Sequence, residues 1–366
     1  AQPGLDSEIE TRAAASASRP EDPAIRLEIA EGTLALAMRA PETYADPRTA
    51  KVLSRHLCEE ARRCAQDAER LGAKGWRLDT VVSLAAYYSG DVDEAYKRAE
   101  AAVKDLPAGE PSWASMAVVT IFAESRWKAI KAAVRERKDW PREWLTDLHA
   151  AYTVLLNHPL GTDGQVAWHY DFLDWLGADH RSEALLRRGL ARFKASAALH
   201  QRLREKMLKL RGPGALEAAY DEMLKEADPT LEPFAGAASV DAAELYRRQG
   251  DFAQALAAYG RAIAHFERGA EGDPGNADVP IALALAGRAR VAFQLGDDAS
   301  ATAAILASFE RSPDSAGTRD GMGITPGETA TTLLNALKTA KKEDLALKLE
   351  AGLSKIDPEL LRPQEE

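Results

Sequence analysis

From Ala24 onward the chain alternates between runs of about 12 to 20 residues, in which apolar positions recur every third or fourth place, and short breaks marked by Gly, Pro or Asp. That spacing buries one stripe of a helix, and the breaks are helix stop and start signals. Counted on those signals, the sequence predicts about seventeen helices and an all-α chain. Residues 1 to about 22 differ: AAASAS and RPEDP carry almost no large apolar side chain. Such a stretch lacks the burial needed to offset the entropy of ordering, so it reads as a flexible N-terminal tail.

A second, longer period appears when alternate helices are aligned. In SGDVDEAYKRAEAAVKDLP, Gly90 is followed by Ala95, Ala99, Ala102 and Pro107; in LGDDASATAAILASFERSP, the same offsets place Gly296, Ala301, Ile305, Ser308 and Pro313. QGDFAQALAAYGRAIAHFE places Gly250, Ala255, Tyr259 and Ala262, with the proline delayed to Pro274. KKEDLALKLEAGLSKIDP carries Lys341 at the glycine position, then Ala346, Glu350, Leu353 and Pro358. A weaker copy, ESRWKAIKAAVRERKDWP, has Glu124 there, then Ala129, Ala133, Glu136 and Pro141. Glycine takes the left-handed turn between two helices without strain. The small residue that follows lets the helices approach, the next apolar position shares its face, and proline ends the pair.

On these residues the chain resembles the tetratricopeptide-repeat (TPR) family, whose unit is a helix-turn-helix of about 34 residues. The match is good over 76–107, 237–274 and 277–313, fair over 111–141 and 326–358, and faint over 142–236. The family's large signature Trp is missing from the first-helix positions. The resemblance implies a right-handed α-solenoid of about eight helix pairs, irregular in the middle, whose first helices line a concave surface that holds peptides or protein surfaces. The expected organisation is a tail over 1–22, an N-terminal array over 23–236, a C-terminal array over 237–358, and a second tail over 359–366.

Charge narrows the function. A formal net charge of −10 across 366 residues lacks the cationic surface that general nucleic-acid binding needs. The longest apolar stretches, such as Ser115 to Ala123, are far shorter than the ~20 residues of a membrane span. The start at Ala1, AQPGLDSEIE, matches what signal-peptide cleavage leaves behind, so the expectation is a periplasmic or secreted protein, with a cytoplasmic one as the alternative. Cys58 and Cys64 lie six apart in one helix, too badly oriented for a disulfide, and are expected to be packing residues.

Candidate chemistry is sparse. The sequence has no GxxxxGKS/T, HExxH, GxSxG or CxxC, and the expectation is a non-catalytic protein without cofactor or metal. The glycine-rich SPDSAGTRDGMGITPG (Ser312 to Gly327) reads as a flexible inter-repeat loop, with partner contact as its other role. Trp113, Trp127, Trp140, Trp144, Trp168 and Trp175 crowd one region with His149, His158, His169 and His180. This cluster is either packing between irregular helices or a pocket for a small molecule or glycan. His169, Asp171 and Asp174 share a helical run without the i, i+4 histidine pair of a helical metal site.

Between Arg181 and Arg211 ten Arg and Lys face only Glu183 and Glu205. Leu199, Leu203, Met207 and Leu210 form a buried stripe there, with Arg202, Lys206 and Lys209 along its flank. These three, with Arg187, Arg188 and Trp168, are the candidate partner-binding residues, and an acidic protein or peptide is the expected partner. The other reading of the basic run is a solvated face balanced by acidic neighbours. The polar ending DPELLRPQEE reads as a cap on the array, which favours a monomer within a hetero-assembly. The overall expectation is an interaction scaffold or accessory subunit.

Overall fold

A computed structural model describes residues 3–18, 21–225, 228–271 and 274–361; among them are seventeen α-helices and no strand. Two compact units divide the chain, Ala1–Ser182 and Glu183–Glu366. The expected boundary at 236/237 instead falls inside a helix, Glu232–Arg248, and Gly236 in that helix packs on the Phe266 ring of the same unit.

Unit 1 opens with α1 (Pro3–Ala17), where a flexible tail is expected. Alanine-rich sequence favours helix, and its small side chains let α1 lie on α2 (Pro23–Thr43) and α3 (Pro47–Arg70). Ser16 is buried, its Oγ 3.2 Å from the Cys64 Sγ and hydrogen-bonded to Glu60. Gly32 on α2 leaves room for the Arg12 guanidinium, which a Cβ would meet at 2.5 Å. Cys58 and Cys64 are buried free thiols, and burial pushes the Cys58 thiol up to about 11.

The remaining helices of unit 1 are α4 (Trp76–Ser89), α5 (Val92–Asp105), α6 (Trp113–Glu136), α7 (Glu143–Asn157) and α8 (Asp163–Trp175). Gly90 turns α4 into α5 at φ 98°. Ala95, Ala99 and Ala102 are then fully buried, and Ser83 Oγ donates to the Ala95 carbonyl at 2.8 Å across the α4–α5 contact. The weak copy over 111–141 is not a helix pair, because α6 runs unbroken through Glu124. Between Trp113 and Glu136 there is neither glycine nor proline to stop it. Glu124 accepts from Tyr87 (2.7 Å) and Tyr96 (3.0 Å) and pairs with Lys128 (2.7 Å). The repeat thus slips by one helix, and α6 pairs with α7.

Unit 2 contains α9 (Asp179–Arg192, from Glu183 on), α10 (Ala197–Arg211), α11 (Pro213–Leu224), α12 (Glu232–Arg248), α13 (Phe252–Gly269), α14 (Asp278–Gln294), α15 (Asp298–Arg311), α16 (Pro326–Thr339) and α17 (Glu343–Leu353). Among the described residues the pairs α2–α3 and α4–α5 of unit 1 and α12–α13 and α14–α15 of unit 2 pack most extensively. Gly250 and Gly296 turn at φ 80° and 76°, and Ala255, Tyr259, Ala262, Ala301, Ile305 and Ser308 are all buried. In the last pair Leu349, rather than the aligned Glu350, fills the core position. Of the expected C-terminal tail, 359–361 belong to a 3-10 turn, with Leu360 and Leu361 packed on the core, and 362–366 lie outside the described residues.

Lys341 takes the glycine's conformation at φ 57°. A side chain there pays about 1–2 kcal/mol in Cβ crowding, against roughly 0.5–1 kcal/mol of extra unfolded-state entropy that glycine would carry. Lys341→Gly is therefore expected to raise stability by about 0.5–1 kcal/mol, read as a higher urea midpoint at unchanged slope. An unchanged or lower midpoint would show that the turn is not strained.

Candidate partner-binding groove

The inner faces of α10, α12 and α14 enclose a cavity of about 560 Å³ in unit 2. Its walls are apolar, carrying Leu208, Val240, Leu245, Leu283 and Phe266, while Lys209 and Arg248 stand exposed on its rim. A buried polar pair sets the phase of α10. The His200 ring stacks on Phe234 at 3.9 Å, and His200 Nε2 faces the Lys194 carbonyl at 2.7 Å. A carbonyl only accepts, so Nε2 carries the proton and Nδ1 accepts from the Tyr220 hydroxyl at 2.9 Å.

One side of the groove is ionic. Arg290 on α14 reaches Glu244 on α12 at 3.1 Å and pairs with Asp320, and all three side chains are between 11% and 13% exposed. Glu244 also accepts from the Tyr259 hydroxyl and pairs with Arg247 at 2.9 Å. Burial works against its ionisation, but the Tyr259 and Arg247 hydrogen bonds and the Arg290 charge together hold the Glu244 carboxyl below the usual range. Beside it Asp241 pairs with Arg204 at 2.7 Å. There the apolar surroundings outweigh the guanidinium, and the Asp241 carboxyl sits above its ordinary value.

Asp320 also orders the loop expected to be flexible. Its Oδ1 accepts from the backbone N–H of Met322 (2.8 Å) and Ile324 (3.1 Å), and its own N–H donates to the Ile324 carbonyl at 3.1 Å. The glycines thus serve a compact turn, and Asp320, Gly321 and Met322 become groove wall.

The predicted binding residues are only partly gathered here. Lys209 lines the groove. Lys206 is buried, at 6% exposed, because it falls between Leu203 and Met207 on the packed face of α10, while Leu210, expected inside, is 49% exposed. Arg202 donates to the Ala198 carbonyl at 3.1 Å. Arg187 and Arg188 are exposed on α9, with Arg187 held by Glu183 at 2.9 Å. Trp168 is half exposed on α8 of unit 1. The basic run has acidic neighbours: Glu183 also takes Arg211 at 2.8 Å, and Asp228 takes Lys194 at 3.4 Å. Arg290, Glu244, Asp320 and Asp241 escaped the sequence reading because they are spread over α12, α14 and a loop far apart in the chain. Only Tyr259 carried a signal, as a repeat position.

The Trp-rich region of unit 1 packs much of its aromatic surface. Trp127 meets Phe172 and Trp175 edge to face at 5.7 and 5.3 Å, and Tyr152 stacks on His169 at 5.2 Å. Asp171 and Asp174 are exposed on α8. Among the described residues no three His, Cys, Asp or Glu gather as a metal site.

Burial, with a smaller push from the neighbouring His149, depresses the His169 imidazole to about 4. The folded state therefore keeps His169 neutral while the unfolded chain protonates it below the ordinary imidazole value of 6.5. Stability contributed by the neutral ring is intact above that value and lost as pH falls toward 4, by about 2–3 kcal/mol. Urea melts between pH 7 and pH 4 should show this loss, and His169→Phe should flatten it; equal slopes for the two proteins would refute the assignment.

No protein-family model matches the chain, and no curated protein matches it. Among solved structures, a tetratricopeptide repeat protein from Parabacteroides merdae is similar at 17% identity and TM-score 0.34, over 78% of this chain and 97% of that one. An IFIT1 monomeric mutant with Gppp-AAAA is similar at 13% and 0.32, over 91% and 74%. The P58(IPK) TPR domain is similar at 14% and 0.26, over 93% and 95%. What decides the fold class is the chain's own series of helix pairs turned on left-handed residues and closed on buried small ones. The chain is an all-α, TPR-like helical repeat. The groove is walled by α10, α12 and α14, the first helices of the pairs α10–α11, α12–α13 and α14–α15.

Proposed function

We propose that this chain is an interaction scaffold that holds a protein or peptide partner in the groove of unit 2, as a single non-catalytic copy within a larger assembly. The observation that carries the reading is the groove itself: about 560 Å³ of largely apolar wall between three first helices, with an ionic side whose charges are already compensated. Apolar walls supply binding free energy, and fixed polar groups supply register. A partner segment would bury an apolar side chain between Val240, Leu245 and Leu283, and set a carboxylate against Lys209 or Arg248 on the rim. The compensated state of Glu244 favours holding over chemistry, since general acid–base catalysis needs a group poised near the working pH.

The test is a photo-crosslinking residue installed at Leu283, activated in a native extract. One discrete adduct, lost when Lys209→Glu and Val240→Asp are introduced, is the expected result. No adduct from Leu283, or one unmoved by Lys209→Glu and Val240→Asp, would overturn the assignment of the groove.

A further inference from the structure

Unit 1 carries a second cavity, of about 290 Å³, between α2, α4 and the start of α6. Trp76 and Trp113, both half-buried, line it together with Leu34 and Val81. Glu31 and Arg77 also line it, joined by two hydrogen bonds, one of 2.8 Å from Arg77 Nε. The Glu31 carboxylate raises the Arg77 guanidinium further, so Arg77 stays charged.

Thr80 distinguishes this cavity. It lies on α4 at 1% exposure, lines the cavity, and its hydroxyl has no hydrogen-bond partner. Thr33, Thr120 and Thr302 show the usual alternative, each donating at 2.8 Å to the carbonyl four residues before it. A buried hydroxyl left without a partner costs about 1–3 kcal/mol, and such a group marks a place where a polar ligand gains by supplying one.

The opposite wall is held in place. Ser112 caps α6 by accepting from Ser115 N–H at 3.2 Å. The Glu110 carbonyl accepts from Ser115 Oγ at 2.8 Å and lies 3.1 Å from His158 Nε2. His158 Nδ1 accepts from Leu160 N–H at 3.1 Å, so Nε2 carries the proton and donates. A wall fixed in this way loses little freedom when a ligand arrives.

We propose that this cavity is a binding site for a neutral polyhydroxylated ligand of one ring, a monosaccharide unit free or at the end of a glycan. Indole faces offer flat apolar area to the C–H face of a sugar ring. Glu31 presents acceptors and Arg77 donors to vicinal hydroxyls, and Thr80 offers a hydroxyl to a further one. A cavity near 300 Å³ lies at the small end of ligand sites and suits one ring rather than a chain. Arg77 beside the tryptophans disfavours the competing occupant, a quaternary ammonium, which needs an aromatic cage free of positive charge.

The experiment is saturation-transfer NMR and calorimetric titration of the full chain with methyl glucosides, methyl galactosides, N-acetylglucosamine and choline chloride. At least one neutral sugar is expected to bind saturably, with contacts to its C–H face. Thr80→Val, which keeps the side-chain shape, should weaken that sugar about tenfold and leave the melting temperature equal or higher. Trp113→Ala should abolish binding, with helical content checked by circular dichroism. Absence of saturable sugar binding, binding of choline alone, or sugar binding unmoved by Thr80→Val would each overturn the proposal.

Discussion

Arg290→Ala is expected to destabilise the protein at pH 7 by about 3–5 kcal/mol, the cost of removing one partner from a buried ion pair. The arginine stands between Glu244 and Asp320, and each carboxylate side chain is at least as hidden as that of the arginine. Truncating it takes the shared cation from Glu244 and Asp320 beside an apolar groove, with Arg247 still on Glu244. Loss of the Arg290 charge raises the Glu244 carboxyl relative to the intact protein, so the destabilisation should shrink as pH is lowered from 7 to 5, where the variant's folded state takes up a proton more readily. Urea melts at the two pH values test this. Arg290→Ala with Glu244→Gln and Asp320→Asn should recover most of the loss, since coupling within one network is not additive. A single-variant loss under about 1 kcal/mol would mean that water reaches the carboxylates and the ionic side is not closed.

The second large effect sits against the same network. Gly287 on α14 packs on the Tyr259 ring, and a Cβ there would come within 2.4 Å of Tyr259 Cζ and Oη. Alanine in a helix is otherwise worth about 1 kcal/mol over glycine. The clash outweighs that gain, because Tyr259 is buried and tied to Glu244 and its ring cannot swing aside freely. Gly287→Ala is therefore expected to cost about 1–3 kcal/mol as overpacking. In a Tyr259→Leu background, where the ring is gone, the same change should become neutral or stabilising. That reversal of sign, read from urea midpoints, is the discriminating result; the same penalty in both backgrounds would place the strain in the backbone instead.

Both positions show how far one-dimensional pattern extends. Tyr259 was visible as a repeat residue, and the glycine-to-proline register correctly marked Gly90, Gly250, Gly296 and Lys341 as left-handed turns. Arg290 and Glu244 looked like ordinary surface charges on amphipathic helices. Nothing in a single helix says that two such charges from α12 and α14 will meet a loop aspartate.

The basic run shows the converse. Ten cations in thirty-one residues stood out in sequence as a possible docking field. In the fold Glu183 holds Arg187 and Arg211, Asp241 holds Arg204, and Lys206 turns into the packed face of α10. Local charge density counts neighbours along the chain, whereas an electrostatic surface is set by neighbours in space.

The N-terminus and α6 mark the two places where propensity and punctuation pulled apart. Residues 3–17 carry Leu5 and Ile9 as their large apolar side chains, yet alanine and serine let that helix dock on α2 and bring Ser16 against Cys64 of α3. A burial count by residue size undervalues such contacts. Around Glu124 the aligned repeat suggested a turn, but with no residue to break it the helix continued, and the pairing slipped by one.

The sequence by itself determined what is local: helix content, the left-handed turns, the small residues that let paired helices touch, and the absence of any long apolar run. These follow from backbone sterics and from one buried stripe per helix, both readable within a few residues. Tertiary structure alone decided the division into units at 182/183, the continuity of α6, the ionic side of the groove and the cavity around Thr80. Each of those depends on which faces of distant helices meet, a property that no periodicity within one segment encodes.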